Sequence, residues 1–323
     1  MTSTSASTHA KRFLVGVLVV GAVVVAAGAL AAPVHDLLVG WGWLEVAEGQ
    51  PHKMFLKVFR RLLLIPLVAV LFVAFRPWRD GTLETFGLKP VRLGLCFKAW
   101  ALTLVVALVV LGIHLGVGWR VPEETWRPAK LAGRLGQYLV AGFVIALLEE
   151  WFFRAWLWTR FGRERSPLHA AVATSAVYAA LHAFRPGALN EVEVTHDLSG
   201  ALEALGLWLA HLADPVGFGR MFVGLFLFGL LLSGLFARTG SLWAPIGVHA
   251  AGILFVYSHG TVTDAAHGAP WIVGTKRLFD GAPGWAVLVL ATVWLWRPGR
   301  PAPEPRSPCL HGRAPSLVRA PPP

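Results

Sequence analysis

Two glutamates and an arginine interrupt one of the most apolar stretches of this chain. Glu149, Glu150 and Arg154 follow the run Gly142-Phe-Val-Ile-Ala146 and precede Trp158. A charged side chain at the centre of a bilayer costs about 2.5–3.5 kcal/mol, so ionisable residues in a membrane segment indicate a function by default. These three residues are therefore the first candidates for chemistry.

The spacing of the three charges gives them different expected roles. Glu150 and Arg154 are four residues apart, so in a helix they share a face and can form an ion pair. Glu149 lies about 100° around the helix from Glu150, and its partner must come from another segment. We expect Glu149 to point into the bundle, where a glutamate can act as a general acid or base. For Glu150 and Arg154, a purely structural ion pair is the alternative.

Two histidines lie in other apolar runs. His182 follows Tyr178 by one helical turn, so the two side chains share a face. His249 lies within Trp243-Ala-Pro-Ile-Gly-Val-His249. A single membrane histidine is more often a packing residue, but polar groups avoid lipid and converge inside a bundle. We therefore predict that Glu149, His182 and His249 meet around one hydrated cavity.

The composition indicates that these residues belong to a polytopic membrane protein. Of the 323 residues, 55% are hydrophobic and 15% are charged, against about 25% charged in soluble domains. Apolar runs long or nearly long enough to span a bilayer lie at about 13–34, 62–75, 93–118, 131–161, 168–184, 216–236, 242–258 and 284–296. The predicted fold is an all-α membrane helix bundle with about eight transmembrane helices.

The chain is predicted to hold one membrane domain, residues 1–297, and a tail. Residues 298–323 are rich in proline and arginine and are expected to form a disordered cytoplasmic tail. In the long connection between Arg185 and Asp214, the stretch Leu198–Leu212 is either an amphipathic helix at the membrane or a short helix in a solvated loop.

The net charge of +11 is spread over the loops without a basic stripe, which argues against nucleic-acid binding and favours contact with lipid headgroups. Counting lysines and arginines in alternate loops favours cytoplasmic N- and C-termini. The high usage of Ala, Gly, Pro and Arg suggests a bacterial protein, which would lie in the inner membrane. Cys96 and Cys309 support neither a disulfide framework nor a cysteine metal site.

Three blocks of the sequence together resemble the family of type II CAAX prenyl proteases and bacteriocin-processing membrane proteins, also called the Abi family. The family pattern is Glu-Glu-x-x-x-Arg, then an aromatic residue four positions before a histidine, then His-x-x-x-Asn. Glu149, Glu150 and Arg154 match the first block, Tyr178 and His182 the second, with Tyr in place of the commoner Phe, and His249 the third. The resemblance covers about residues 140–255.

The resemblance implies an intramembrane glutamic endopeptidase. Glu149 with His182 would activate a water molecule, His249 would donate to the tetrahedral oxyanion, and Glu150, Arg154 and Tyr178 would support them. The substrate would be a membrane-tethered peptide or protein. No cofactor is favoured, although Glu149, His182 and His249 could ligate zinc; the strong helical zinc motif His-Glu-x-x-His is missing from the sequence.

One position departs from the family pattern. Ile253 stands where the family has an asparagine, which is thought to help stabilise the oxyanion, and Tyr257 or Ser258 are possible substitutes. The departure leaves a second hypothesis open, namely a catalytically weakened member that acts as a membrane immunity or scaffold protein. A transporter is disfavoured because inverted repeats and paired broken helices are not visible.

Overall fold

Helix dominates the part of the chain that the structure describes. The computed structural model describes residues 3–43, 54–59, 61–63, 65–66, 69, 86–124, 128–162, 166–183, 193–212, 214, 216–268, 273–274 and 279–297. The helices are α1 (Ser3–Gly40), α2 (Leu93–Gly116), α3 (Pro128–Glu150), α4 (Trp158–Gly162), α5 (Pro167–Ala183), α6 (Leu198–Leu212), α7 (Gly217–Thr239), α8 (Trp243–His259) and α9 (Ala282–Trp296). A π-helical segment, Trp151–Leu157, joins α3 to α4, and two short strands are β1 (Arg120–Pro122) and β2 (Thr263–Ala265).

The chain divides into two units, and the first comprises Met1–Pro77 and Ala180–Phe222. In this unit α1 packs on α6 through small side chains, with Ala27 and Ala31 of α1 and Ala201 of α6 buried in one cluster. A Cβ added at Gly28 would lie 3.0 Å from a methyl carbon of Leu198. Small residues allow the two helix backbones to approach closely, which is how membrane helices pack when burial of apolar surface gives no advantage over lipid.

The second unit comprises Trp78–Ala179 and Val223–Pro323, and α8 is its central helix. Every residue of α8 from Ala244 to Ala251 is buried, because α2 and α3 both pack against it. A Cβ at Gly247 would overlap the carbonyl group of Cys96 in α2, and one at Gly142 in α3 would lie 3.1 Å from the carbonyl oxygen of Ala250. Glycine at these two positions lets α2 and α3 touch the backbone of α8.

A two-stranded ribbon lies beyond the ends of α2 and α8. Strands β1 and β2 pair antiparallel, with Arg120 opposite Ala265. The buried Arg120 side chain donates to the hydroxyl and carbonyl oxygens of Thr263, at 3.0 and 2.7 Å. Burial lowers the pKa of Arg120, while Asp264 and Asp280 act in the opposite direction. The ribbon therefore holds a buried cation that donates to the neighbouring strand.

The last helix is attached to α7 by side chains that bind backbone carbonyls. Arg238 donates to the carbonyl oxygens of Leu295 and Arg297, which supplies partners to the C-terminal end of α9. Trp296 donates in turn to the carbonyl oxygen of Leu230 at 3.4 Å. Helix α9 is thus fixed against α7 at its C-terminal end.

The predicted helices are confirmed in position within the described residues, but the number of spans is not. The helical character of the chain fits an all-α membrane bundle. By length and composition, four segments can cross a bilayer in the part of the chain described here: Gly21–Gly40, Leu93–Gly116, Leu131–Gly162 and Gly217–Thr239. The predicted count of about eight is not confirmed, because α5, α8 and α9 have only 17, 17 and 15 residues.

Two predictions fall largely or wholly outside the described residues: the apolar run at 62–75 and the tail at 298–323. The stretch Leu198–Leu212 is a helix, which both of its interpretations required. The π-helical segment was not predicted, since a single widened turn leaves no trace in the hydrophobic pattern. Its place, immediately after the two glutamates, is where such turns commonly occur, namely at functional sites.

Candidate active site

The glutamates lie at the last turn of α3, and Arg154 lies on the π-helical segment that follows. The Arg154 guanidinium donates to Glu150 Oε1 at 3.0 Å, and both side chains are fully buried. Its other terminal nitrogen reaches the carbonyl oxygen of Gly229 in α7 at 3.4 Å. The ion pair that the four-residue spacing predicts is therefore present, and it also binds α3 to α7.

Gly229 is the residue that makes this approach possible. A Cβ at this position would lie 2.8 Å from the Cβ of Ser175 in α5, a distance that real side chains do not tolerate. With glycine here, α7 packs directly on α5 and offers its carbonyl oxygen to Arg154. No motif in the sequence marks Gly229 as a site residue, although it lies in the apolar run that precedes His249.

His249 of α8 lies between the two glutamates. Its Nδ1 is 2.7 Å from Glu150 Oε1, and its Nε2 is 3.7 Å from Glu149 Oε2. Because an ionised carboxylate only accepts hydrogen bonds, Nδ1 carries a hydrogen and donates it to Glu150. Glu150 is thus more than a partner of Arg154, because it also orients the imidazole ring.

The two glutamates differ in exposure. The Glu149 side chain is 22% exposed, whereas the Glu150 side chain is fully buried. A reacting group must be reached by water and substrate, while a positioning group need not be. Within this cluster, Glu149 is the glutamate whose side chain is partly exposed, although its Oε2, the oxygen that faces His249, is buried.

Aromatic side chains enclose the imidazole and the guanidinium. The Tyr178 hydroxyl is 3.5 Å from His249 Nε2, and the Arg154 guanidinium lies 4.7 Å from the centre of the Tyr178 ring. Phe228 of α7 meets the His249 ring edge to face, with centroids 5.6 Å apart. Phe153 packs in the same manner on Tyr178, at 5.2 Å. The charges are therefore bordered by aromatic rings, one of which carries a hydroxyl.

The comparison with protein families identifies this arrangement. Residues 131–255 match the model of the Rce1-like type II CAAX prenyl endopeptidase family, and this range contains every residue of the cluster. Over this range, which is less than half of the chain, the sequence is similar to the Rce1-like family. Comparisons with curated proteins and with solved structures gave no match.

The similarity to the Rce1-like family supports a peptidase kind of function. Together with its apolar helices it makes the chain an integral membrane protein. The family match covers the middle of the chain and does not extend to the helices before residue 131 or to those after residue 255.

The structure places the predicted site residues in both units. Glu149, Glu150, Arg154, Tyr178 and His249 come together in the second unit. His182 lies in the last turn of α5, half-buried, in the part of that helix that belongs to the first unit. The catalytic role of each of these residues remains a prediction.

The position of the missing asparagine is occupied by an alkyl side chain in the helix interface. Ile253, half-buried, would lie 3.7 Å from a Cβ at Gly142, so it faces α3. Tyr257, suggested as a substitute, is 46% exposed and stacks on Tyr138 with centroids 5.3 Å apart. Ser258, the other suggestion, has a buried hydroxyl without a hydrogen-bond partner among the described residues.

A structural or catalytic zinc site requires at least three protein ligands around the ion. Among the described residues, no group of three His, Cys, Asp or Glu side chains has a geometry that would hold a metal ion. His249 instead uses Nδ1 to bind Glu150. The residues around His249 are therefore arranged as a hydrogen-bonded ion cluster, and zinc dependence remains a question for a chelation experiment.

Proposed function

We propose that this protein is an intramembrane endopeptidase that hydrolyses a peptide bond of a membrane-associated substrate with a water molecule activated by glutamate and histidine. The observation that carries the proposal is the position of His249, whose two ring nitrogens face Glu150 and Glu149. The Glu150 side chain is fully buried, whereas the Glu149 side chain is partly exposed. This asymmetry suits a site in which one acid holds the histidine and the other reacts.

In the proposed reaction Glu149 is the general base. It takes a proton from a water molecule whose oxygen forms a bond to the carbonyl carbon of the substrate, and the carbonyl π electrons move onto the oxygen. When the C–N bond breaks, the proton passes from Glu149 to the leaving nitrogen. The carbonyl re-forms, the products are a carboxylic acid and an amine, which then exchange one proton in solution, and the enzyme regains its starting state. General acid–base catalysis of this kind contributes about 10²–10⁴-fold.

The geometry of the cluster supports a role for His249 as a donor. The hydrogen bond between Nδ1 and Glu150 orients the imidazole ring with Nε2 toward Glu149 and Tyr178. Nδ1–H then stays on Glu150, and Nε2–H is available to the oxyanion. Preorganised donors of this type contribute about 2.7–4 kcal/mol each to stabilising the transition state.

His182 and the substrate are proposed from the family resemblance. That resemblance gives His182 a share in activating the water with Glu149. The family name points to prenylated C-terminal peptides, and a substrate tethered to the membrane near a hydrophobic segment suits a site on membrane helices. We also propose that the protein lies in a bacterial inner membrane with both termini in the cytoplasm, as the distribution of basic loop residues suggests.

The test is hydrolysis by the purified full-length protein in phosphatidylcholine–phosphatidylglycerol vesicles. The probe is a farnesylated peptide ending in a CAAX sequence, with a fluorophore and a quencher on either side of the scissile bond, and an unprenylated version is assayed beside it. We expect Glu149→Gln to abolish hydrolysis and His182→Ala to reduce it at least about 10²-fold. The matched control is Glu203→Gln, which changes an exposed glutamate of α6 and should leave the rate unchanged.

Two results would change the proposal. If hydrolysis persists in both the Glu149→Gln and the His182→Ala variants, the glutamate mechanism is wrong. If the wild-type protein cleaves neither peptide, the non-catalytic immunity or scaffold function that Ile253 favours becomes the better hypothesis. Exhaustive chelation decides the metal question, because loss of hydrolysis that zinc restores would show that the site needs the ion.

A further inference from the structure

Tyr178 holds a hydroxyl group at the centre of the candidate active site. The side chain is only 2% exposed, and its oxygen is 3.5 Å from His249 Nε2. The same nitrogen faces Glu149 Oε2 at 3.7 Å. The phenol oxygen and the Glu149 carboxylate therefore both lie within 3.7 Å of the same imidazole nitrogen.

The distance between the phenol and the imidazole is long for a hydrogen bond. Strong hydrogen bonds to a hydroxyl have heavy-atom distances of about 2.5–3.0 Å, so a contact of 3.5 Å does not fix the phenol to Nε2. Two donors at that separation can both lie within about 3 Å of the same oxygen atom, which is the distance at which oxyanion donors act. The pair has the spacing of a two-donor site for one oxygen.

The surroundings of Tyr178 strengthen its hydroxyl as a donor and fix its position. The Arg154 guanidinium lies 4.7 Å from the ring centre, and a cation over an aromatic face is attracted to its electron density. That attraction draws charge from the ring and so from the phenol oxygen. Phe153, packed edge to face on the ring, and Arg154 together hold the phenol in one orientation.

We propose that Tyr178 is a catalytic residue whose O–H donates a hydrogen bond to the oxyanion of the tetrahedral intermediate, beside Nε2–H of His249. The inference depends on the proposed endopeptidase function and assigns a further role within it. The hydrogen stays on the phenol throughout; it binds the oxygen that gains charge when water adds to the carbonyl carbon. One turn after His249, where the family has an asparagine, α8 carries the alkyl side chain of Ile253, which faces α3. The second oxyanion donor is therefore Tyr178 of α5.

The decisive variant is Tyr178→Phe, which removes the hydroxyl and keeps the ring that packs on Arg154 and Phe153. In the vesicle assay we expect kcat to fall about 10²–10³-fold, as it does when one oxyanion donor is lost, with KM unchanged. A peptide with a tetrahedral phosphinic group in place of the scissile bond should bind more weakly by the same factor. Tyr138→Phe is the matched control, because this phenol stacks on Tyr257 and lies about three helical turns before Glu149 in α3.

A second variant tests whether the Tyr178 phenol replaces the family asparagine as a hydrogen-bond donor to the oxyanion. Adding Ile253→Asn to Tyr178→Phe places an amide donor four residues after His249, on the same face of α8. We expect the double variant to recover at least about 10-fold in kcat over Tyr178→Phe, a fraction of the loss expected for one oxyanion donor. A Tyr178→Phe protein that is folded and whose kcat is unchanged overturns the inference, and so does an effect on KM alone.

The outcomes separate this inference from the proposed function. If Glu149→Gln abolishes hydrolysis and Tyr178→Phe does not affect kcat, the endopeptidase function stands and the role of Tyr178 is wrong. If the wild-type protein cleaves no probe and does not bind the phosphinic peptide, both proposals fall together. Thermal unfolding followed by tryptophan fluorescence establishes that each variant is folded.

Discussion

Arg154 provides the most direct test of how this site is held together. Its guanidinium is fully buried, donates to Glu150 at 3.0 Å, reaches the carbonyl oxygen of Gly229 at 3.4 Å and lies over the Tyr178 ring. The substitution Arg154→Met keeps most of the apolar stem and removes the charge. Glu150 then remains as a buried carboxylate whose cationic partner one turn away is gone.

The magnitude follows from that uncompensated charge. Removing one member of a buried ion pair costs about 3–5 kcal/mol of stability, most of it from the charge left behind. We expect Arg154→Met to lower the free energy of unfolding by this amount, and Glu150→Gln to have a cost of the same order. In the double variant no buried carboxylate is left at position 150 without its cation. The amide oxygen of the glutamine introduced there can still accept a hydrogen bond from His249 Nδ1.

The double variant should therefore cost no more than Arg154→Met alone. The sum of the two single costs then exceeds the cost of the double by at least the cost of Glu150→Gln, about 3–5 kcal/mol, which is at or above the upper end of the range for residues in one network. The assay is reversible unfolding in mixed micelles at increasing fractions of sodium dodecyl sulfate, followed by the fluorescence of the 15 tryptophans. Arg134→Met, which alters an exposed arginine of α3, is the matched control and should change stability by less than about 0.5 kcal/mol.

Additive costs, equal within about 0.5 kcal/mol to the sum of the singles, would refute this reasoning. They would mean that Glu150 does not depend on Arg154 for compensation, and that His249 alone holds it. A loss of less than about 1 kcal/mol in Arg154→Met would contradict it as well, because that is the value of an ion pair in contact with water.

Two further predictions concern packing and capping. Gly247→Ala should lower the free energy of unfolding by about 1–3 kcal/mol, because the added Cβ would overlap the carbonyl group of Cys96. Unfolding in mixed micelles measures this change. The control is Gly252→Ala, whose Cβ would meet nothing nearer than 3.5 Å and which should not destabilise the protein. Donation from the Gly200 amide lowers the pKa of Asp197 at the start of α6, so this stabilisation is present above the ordinary aspartate pKa and is lost as the pH falls through the lowered one. Hydrogen exchange should show the first turn of α6 losing protection below about pH 4. Asp197→Asn, which caps the helix without titrating, should show no such change. Equal protection of the wild-type protein above and below this pH would contradict the prediction.

Much of the fold could be predicted because its signals are local. A membrane helix is a run of apolar residues, so α2, α5, α7 and α8 begin and end within about three residues of the predicted limits. The Glu150–Arg154 pair also follows from local geometry, since two residues four apart share a helix face. The number of spans could not be predicted in the same way, because several apolar runs give helices that are short for a bilayer.

The site itself combines a local part and a distant part. The sequence by itself determined a helical membrane protein that is similar to the Rce1-like family over residues 131–255. It also placed two glutamates and an arginine close together in one apolar run and candidate histidines in two others. Only the tertiary structure decided that one imidazole lies between both carboxylates and that Tyr178 lies beside it. These contacts join residues 71 and 99 positions apart, and they depend on glycines whose missing side chains let helix backbones touch. No helical period records such a contact, because it is fixed by how the helices pack and not by how each one forms.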